Sequence, residues 1–279
     1  LFFAHIHNKY RENAMKSILK KIFHYISLDL SYFKRSPYEY LLDCPRYKEI
    51  TVNLLGREFA IADPLSFYWS YREIFIDDIY KFQTSTNTPT ILDCGSNYGT
   101  SIAYFKALYP DAKIIGIEPD PEIFKLLSSN IQKLQYKDVQ LINKAVSTST
   151  ESIDFYHEGA DGGRIFRNSS STKTYSTTPI HLDELINGPV DFLKMDIEGS
   201  ETEVLCSSKK LKYVDQIFIE YHSFQDSQQT LNEILEKLTE NNFRYYIHTQ
   251  FCSPRPLTEK KTNLGMDLQL NIFANRAKN

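Results

Sequence analysis

A chain of 279 residues, 42% of them hydrophobic, is long enough for one large or two ordinary domains with a full core, and needs no staples to fold. A net charge of -3 with both signs interspersed excludes a basic field for nucleic acid and an acidic tail for a basic partner. No apolar run approaches the roughly 20 residues of a membrane helix, and Cys44, Cys94, Cys206 and Cys252 lie far apart without C-x-x-C spacing, which reads as unpaired thiols in a reducing, cytoplasmic setting.

Residues 1 to about 48 read as helical and irregular, broken at Pro37 and Pro45. Between Met15 and Tyr25, Lys16, Lys20 and Lys21 alternate with Ile18, Leu19, Ile22 and Phe23, an amphipathic pattern for packing on the body or a partner subunit, with a membrane surface as the alternative. From Ile50 the pattern alternates, predicting a hairpin that turns at Leu55-Gly56-Arg57. Phe67, Tyr68, Tyr71, Ile74, Phe75, Ile79 and Tyr80 then fall at helical spacings over 66–82. Residues 1–83 are thus expected to form an accessory region, a candidate homodimer contact, closed by the polar, proline-ended linker 83–89.

Beyond it strands and helices alternate. Strands are expected at 90–94, 113–117, 139–143, 190–196, 215–221, 243–248 and 267–274, and helices at 100–109, 120–135, 181–187, 200–207 and 226–240. That alternation means parallel strands joined by crossover helices, in one domain over 84–279. Ser152 to Tyr156 reads as an edge strand, and the irregular run to Pro179 reads as a lid or substrate loop.

In such a sheet, ligands bind beyond the carboxyl ends of the strands. Asp93, Gly95 and Gly99 end the first strand, Glu118 the second, Asn143, Lys144 and Ala145 the third, Asp196 and Glu198 the fourth, Glu220 and His222 the fifth. Glycines at 95 and 99 let backbone approach a ligand closely, and the following helix offers free N–H groups. A carboxylate after the second strand suits vicinal ribose hydroxyls. Dinucleotide enzymes use the same device, but their G-x-G-x-x-G turn has a central glycine that admits the pyrophosphate. Gly95-Ser96-Asn97-Tyr98-Gly99 lacks it, and Asp93 would oppose phosphates while suiting a sulfonium. S-adenosylmethionine therefore fits better than NAD, with a nucleotide-dependent oxidoreductase and a non-catalytic binding protein as the rivals.

Together Asp93-Cys-Gly-Ser-Asn-Tyr-Gly99, Glu118-Pro-Asp-Pro121, His181-Leu-Asp-Glu-Leu185, Lys194-Met-Asp-Ile-Glu-Gly-Ser-Glu201 and Ile219-Glu-Tyr-His222 resemble the FkbM-type methyltransferases. Ser96, Met195 and Cys206 stand where that family commonly has alanine, isoleucine and glycine. The resemblance implies a Rossmann-like class I methyltransferase fold, α/β with a mostly parallel seven-stranded sheet in the order 3-2-1-4-5-7-6. It also implies O-methylation of a sugar, polyketide or other small-molecule hydroxyl. By position, Asp93, Gly95, Ser96, Asn97, Tyr98 and Gly99 would hold the methionine side of the cofactor. Glu118 and Pro119 would hold the ribose, Asn143 to Ala145 would border the adenine, and Asp196 would lie beside the methyl group.

The acceptor's proton needs a base, and the candidates are His222 and Asp196, with Lys194 and Glu198 beside them. Alternation along strands puts Glu220 with His222 and, if the strand persists, Asp196 with Glu198. The same groups would suit a hard divalent ion, though no metal is predicted. Tyr98, Tyr156, Arg164 and Arg167 are candidate acceptor contacts. Acceptor choice is expected to lie with the loop after Tyr156 and the N-terminal region.

Overall fold

A computed structural model describes residues 35–156 and 174–276. The chain enters through a hairpin, β1 (Ile50–Leu54) and β2 (Arg57–Ile61). Its two-residue turn, Leu55-Gly56, has φ values of 53° and 81°, the left-handed pair that matches strand twist. Asp63 then caps helix α1 (Pro64–Tyr71), accepting from the Ser66 amide at 3.1 Å, with Pro64 at the first position. The helix expected over 66–82 stops early. Residues Arg72–Ile76 widen into a π turn, in which the Asp77 amide reaches back to the Arg72 carbonyl, and Asp78 adopts φ 56°. Apolar spacing continues into Ile79 and Tyr80 because those side chains still fill the core from an irregular segment.

The alternating part follows as β3 (Thr90–Cys94), α2 (Thr100–Leu108), β4 (Lys113–Ile117), α3 (Pro121–Leu134) and β5 (Val139–Ile142). Asp120 caps α3 with bonds from the amides of Glu122 and Ile123, and Ile123, Leu127, Ile131 and Leu134 form its buried stripe. Short pieces come next: β6 (Ala145–Val146), β7 (Ile153–Tyr156), β8 (Thr174–Thr177) and β9 (Pro179–Ile180). β7 is not an edge of the main sheet. It pairs with β8 in a separate antiparallel ribbon, while β6 and β9 form a two-residue parallel ladder.

The chain ends with α4 (Leu182–Leu185), β10 (Val190–Met195), α5 (Glu201–Ser207), β11 (Val214–Phe224), α6 (Leu231–Glu240), β12 (Phe243–Cys252) and β13 (Met266–Arg276). Helix α4 is a single turn, with His181 as its cap and Glu184 closing a capping box.

The main sheet runs β12-β13-β11-β10-β3-β4-β5, which is the expected order 3-2-1-4-5-7-6 read from the other edge. Strands β11, β10, β3, β4 and β5 are parallel, and β13 is antiparallel to both neighbours. This is the Rossmann-like class I methyltransferase architecture. β3 and β10 lie at its centre, buried on both faces, which explains their nearly continuous apolar sequence.

The N-terminal segment shares a core with this body. Phe59 and Phe67, both fully buried, pack with Tyr98, Ala103, Ile123 and Leu134. Asn130, itself fully buried, completes the join. Its side chain accepts from the Ala60 amide at 2.8 Å and donates to the carbonyls of Ala60 and Tyr98 at 2.8 and 2.9 Å. All four cysteines are free thiols, and among the described residues no helix is long and apolar enough to cross a membrane.

Candidate active site

The glycine turn hangs on the second strand. The amides of Gly95 and Ser96 both donate to the Ile117 carbonyl, at 3.0 and 2.9 Å. The Asn97 amide donates to Glu118 Oε2 at 2.9 Å, that of Tyr98 to Asn97 Oδ1, and that of Gly99 to the Ser96 carbonyl. Every N–H from 95 to 99 therefore has a partner within the protein, so this turn is no phosphate nest. Gly95 is required by space as well as by its φ of 85°, since a Cβ there would lie 1.8 Å from the Asp196 carbonyl oxygen. Gly99, at φ 98°, faces α3, where a Cβ would meet Leu127 at 2.9 Å.

Glu118 is 8% exposed and holds both carboxylate oxygens toward backbone donors, Oε1 taking the Asp120 amide at 2.9 Å. Burial pushes its carboxyl up to about 8, with the Asp120 charge adding to the effect.

Lys194, on β10, is the central cation. Its Nζ donates to the Gly95 carbonyl at 2.6 Å and lies 3.1 Å from Asp196 Oδ2 and 3.5 Å from Asp93 Oδ1. Burial opposes its charge, but Asp196 and Asp93 outweigh it and hold the ammonium well above the usual lysine range. Asp93 is fully buried behind the cleft, where it also accepts from Ser101 Oγ at 2.5 Å. It thus neutralises Lys194 rather than facing a ligand.

The strand ends after Met195, and the chain doubles back through Glu198 at φ 57° and Gly199 at φ 107°. Alternation therefore does not relate Asp196 to Glu198. What shapes the loop is Glu201, 1% exposed, whose carboxylate accepts from the amides of Ile197 and Gly199 at 3.0 Å and meets His222 Nδ1 at 3.2 Å. His222 Nε2 is left facing Glu198 at 3.7 Å and Glu220 at 3.8 Å. Burial works against a charged ring, but Glu198, Glu201 and Glu220 together hold the imidazole protonated well above its ordinary range. Burial, reinforced by Asp196, likewise keeps the Glu220 carboxyl well above the ordinary carboxylate range. Asp196, Glu198 and His222 offer ligand atoms within 4.8 Å of one another, an arrangement a divalent ion could also use.

A cleft of about 650 Å³ at the carboxyl ends of the strands gathers most of the expected residues. Gly95, Ser96, Asn97, Tyr98, Glu118 and Pro119 line it, as do Lys144, Ala145, Asp196, Glu198, Glu220 and His222. Asp93, Gly99 and Asn143 do not. Asn143 is exposed and donates to the carbonyls of Glu118 and Pro119 at 2.8 and 3.0 Å, bracing the second strand's end from outside. Arg164 and Arg167, and the amphipathic stretch from Met15 to Tyr25, lie outside the described residues. Tyr156 ends β7 and is described by its backbone alone.

Sequence reasoning missed Tyr80, Gln250, Asn263 and Gln269, which also line the cleft. Only Tyr80 carried a signal, as an aromatic near the linker. The three amides arrive from β12, β13 and the segment between them, which no local pattern brings here.

A family model described as the methyltransferase FkbM domain matches residues 93–245. Methyltransferase sdnD of Sordaria araneosa is 27% identical over 192 residues, 53% of this chain and 74% of that protein. The 2-O-methyltransferase NoeI of Sinorhizobium fredii is 27% identical over 174 residues, 54% of this chain and 71% of that one. Among solved structures, the precorrin-6y C5,15-methyltransferase of Geobacter metallireducens is similar at a TM-score of 0.45 and 14% identity, over 74% of this chain and 89% of that one. The matched span covers more than half of the chain and contains the glycine turn, Glu118, the Lys194 to Glu201 loop and His222, so this protein belongs to the FkbM methyltransferase family.

Proposed function

We propose that the chain is an S-adenosylmethionine-dependent O-methyltransferase acting on a hydroxyl of a small molecule or glycan. The observation that carries this reading is the convergence, in one cleft, of the glycine turn, the buried Glu118 carboxylate and an acidic wall holding one imidazole. The residues suit the cofactor. The turn's amides are committed within the protein, which disfavours a diphosphate and so the oxidoreductase alternative. Glu118 keeps lone pairs for a ribose diol beside its two backbone bonds. The Asp196 carboxylate suits a positively charged sulfur.

When bound, the cofactor supplies an electrophilic methyl group on that sulfur. The chain's own part is positioning and proton handling. Ser96, Asn97 and Tyr98 fix the first wall, while Lys144 and Ala145 form another. Lys194 holds Asp196 in place, and Glu201 takes the Nδ1 side of His222 so that Nε2 points to the acceptor. In its neutral form that nitrogen accepts the hydroxyl proton, with Asp196 as the neighbouring alternative. Calorimetric titration with S-adenosylhomocysteine and with NADH tests the reading. Binding of the former alone supports it, and binding of NADH alone overturns it. Methyl-labelled cofactor incubated with extracts separates an enzyme from a binding protein that keeps the fold.

A further inference from the structure

Large aromatic side chains half open to solvent inside a cleft are the informative exception to apolar burial. Trp69 on α1 is 52% exposed and Tyr47 61% exposed, and both line the same cleft as the glycine turn. Both rings are held from behind. Trp69 meets the buried Tyr68 edge-on at 5.1 Å, and the Arg46 guanidinium lies 4.7 Å from the Tyr47 ring centre. Arg46 is in turn fixed by Asp63 at 2.7 Å. Each ring thus has one flank packed and the other turned to the cleft.

Beside Ser66, Ser70 and Glu73 from the N-terminal segment, the cleft lining includes the carboxamides of Gln250, Asn263 and Gln269. Gln250 donates to Glu73 at 3.0 Å, and Gln269 donates to Glu220. A carboxamide offers both donor and acceptor, the pairing that each hydroxyl of a polyol also needs. Two of the three lysine and arginine side chains in the lining, Arg46 and Lys194, are committed to carboxylates, which favours neutral over anionic groups. Exposed aromatic faces and carboxamides in one cleft match a molecule with apolar C–H faces and a rim of hydroxyls.

We propose that this part of the cleft is the acceptor subsite and that it takes the ring of a neutral saccharide, stacked on Trp69 with its hydroxyls on Gln250, Asn263 and Gln269. The assignment rests on the methyl-transfer reading above. Trp69 is the only tryptophan of the chain, so its emission reports the subsite directly.

The test uses the full-length protein saturated with S-adenosylhomocysteine. It is titrated with chitotetraose, cellotetraose, maltotetraose and methyl glycosides of common hexoses and deoxyhexoses, and separately with a catechol and a macrocyclic polyol. Trp69 emission and calorimetry are read together. At least one saccharide is expected to shift the emission. Its Kd should rise about tenfold in Trp69→Ala and by less than about threefold in Trp69→Phe, with unchanged affinity for S-adenosylhomocysteine. Gln250→Ala, on a different strand, should weaken the same saccharide and guards against a folding effect at position 69. Absence of any saccharide response, a response to the catechol or polyol alone, or an unchanged saccharide Kd in Trp69→Ala overturns the proposal. Failure of S-adenosylhomocysteine to bind overturns the methyl-transfer reading instead.

Discussion

His222 is a base only when it is not already an acid. Glu198, Glu201 and Glu220 around a ring that is 2% exposed hold its proton well above the ordinary histidine range. Turnover is therefore expected to climb as pH rises above the ordinary histidine range and to level off only once Nε2 is free. His222→Ala should lower kcat by roughly 10²–10⁴ and flatten that climb, leaving S-adenosylhomocysteine affinity nearly unchanged. Full activity in that variant would move the base role to Asp196. Lys194 makes a different prediction, about stability. Removing it strands Asp93, which is fully buried, without a cationic partner. Lys194→Met should cost about 3–5 kcal/mol in urea unfolding, and adding Asp93→Asn should recover much of that.

At the scale of elements, the first and fourth strands are held at touching distance where they meet the ligand. The Asp196 amide donates to the Cys94 carbonyl at 3.1 Å, and Gly95 lies against the Asp196 carbonyl. Gly95→Ala combines a strained backbone, roughly 1–3 kcal/mol, with a direct clash that must part the two strand ends. Loss of S-adenosylhomocysteine binding along with a lowered melting point is the expected result. Gly188 has nothing within 4 Å of a built Cβ, so Gly188→Ala is the control and should change stability by less than about 0.5 kcal/mol.

These elements also divide what the sequence could reveal from what it could not. The strands themselves follow from apolar runs ending in carboxylates, whereas their order was implied only by the family resemblance; alternation placed Glu220 with His222 because β11 runs on to Phe224. The same rule failed for Glu198, where a left-handed residue ends the pleat. The π turn was hidden because its side chains keep an apolar rhythm. Glu201 reads as a helix-start acid and becomes the loop's organiser only through contacts 21 residues away.

For the whole molecule, buried groups whose protons are held more tightly when folded, His222 and Glu118 among them, push the pH dependence of folding in the same direction. His222 is raised in the folded state, so its stabilisation is complete below about 6.5 and is lost as pH rises through its higher folded value. Glu118, raised from 4.5 to about 8, also binds its proton more tightly when folded, so stability declines across that interval. The free protein should thus have a lower urea midpoint at pH 9 than at pH 6, and saturating S-adenosylhomocysteine should reduce the difference if it satisfies ionised Glu118.

Asn130 has a consequence for kinetics. One side chain holds β2 through Ala60 and the glycine turn through Tyr98, and the neighbouring Asn97 amide is held by Glu118. Settling the turn therefore also settles the segment that carries Trp69. The two substrates should add in a compulsory sequence, cofactor leading and acceptor following. S-adenosylhomocysteine would then inhibit competitively against the cofactor and noncompetitively against the acceptor, and Asn130→Ala would relax the scheme toward random addition.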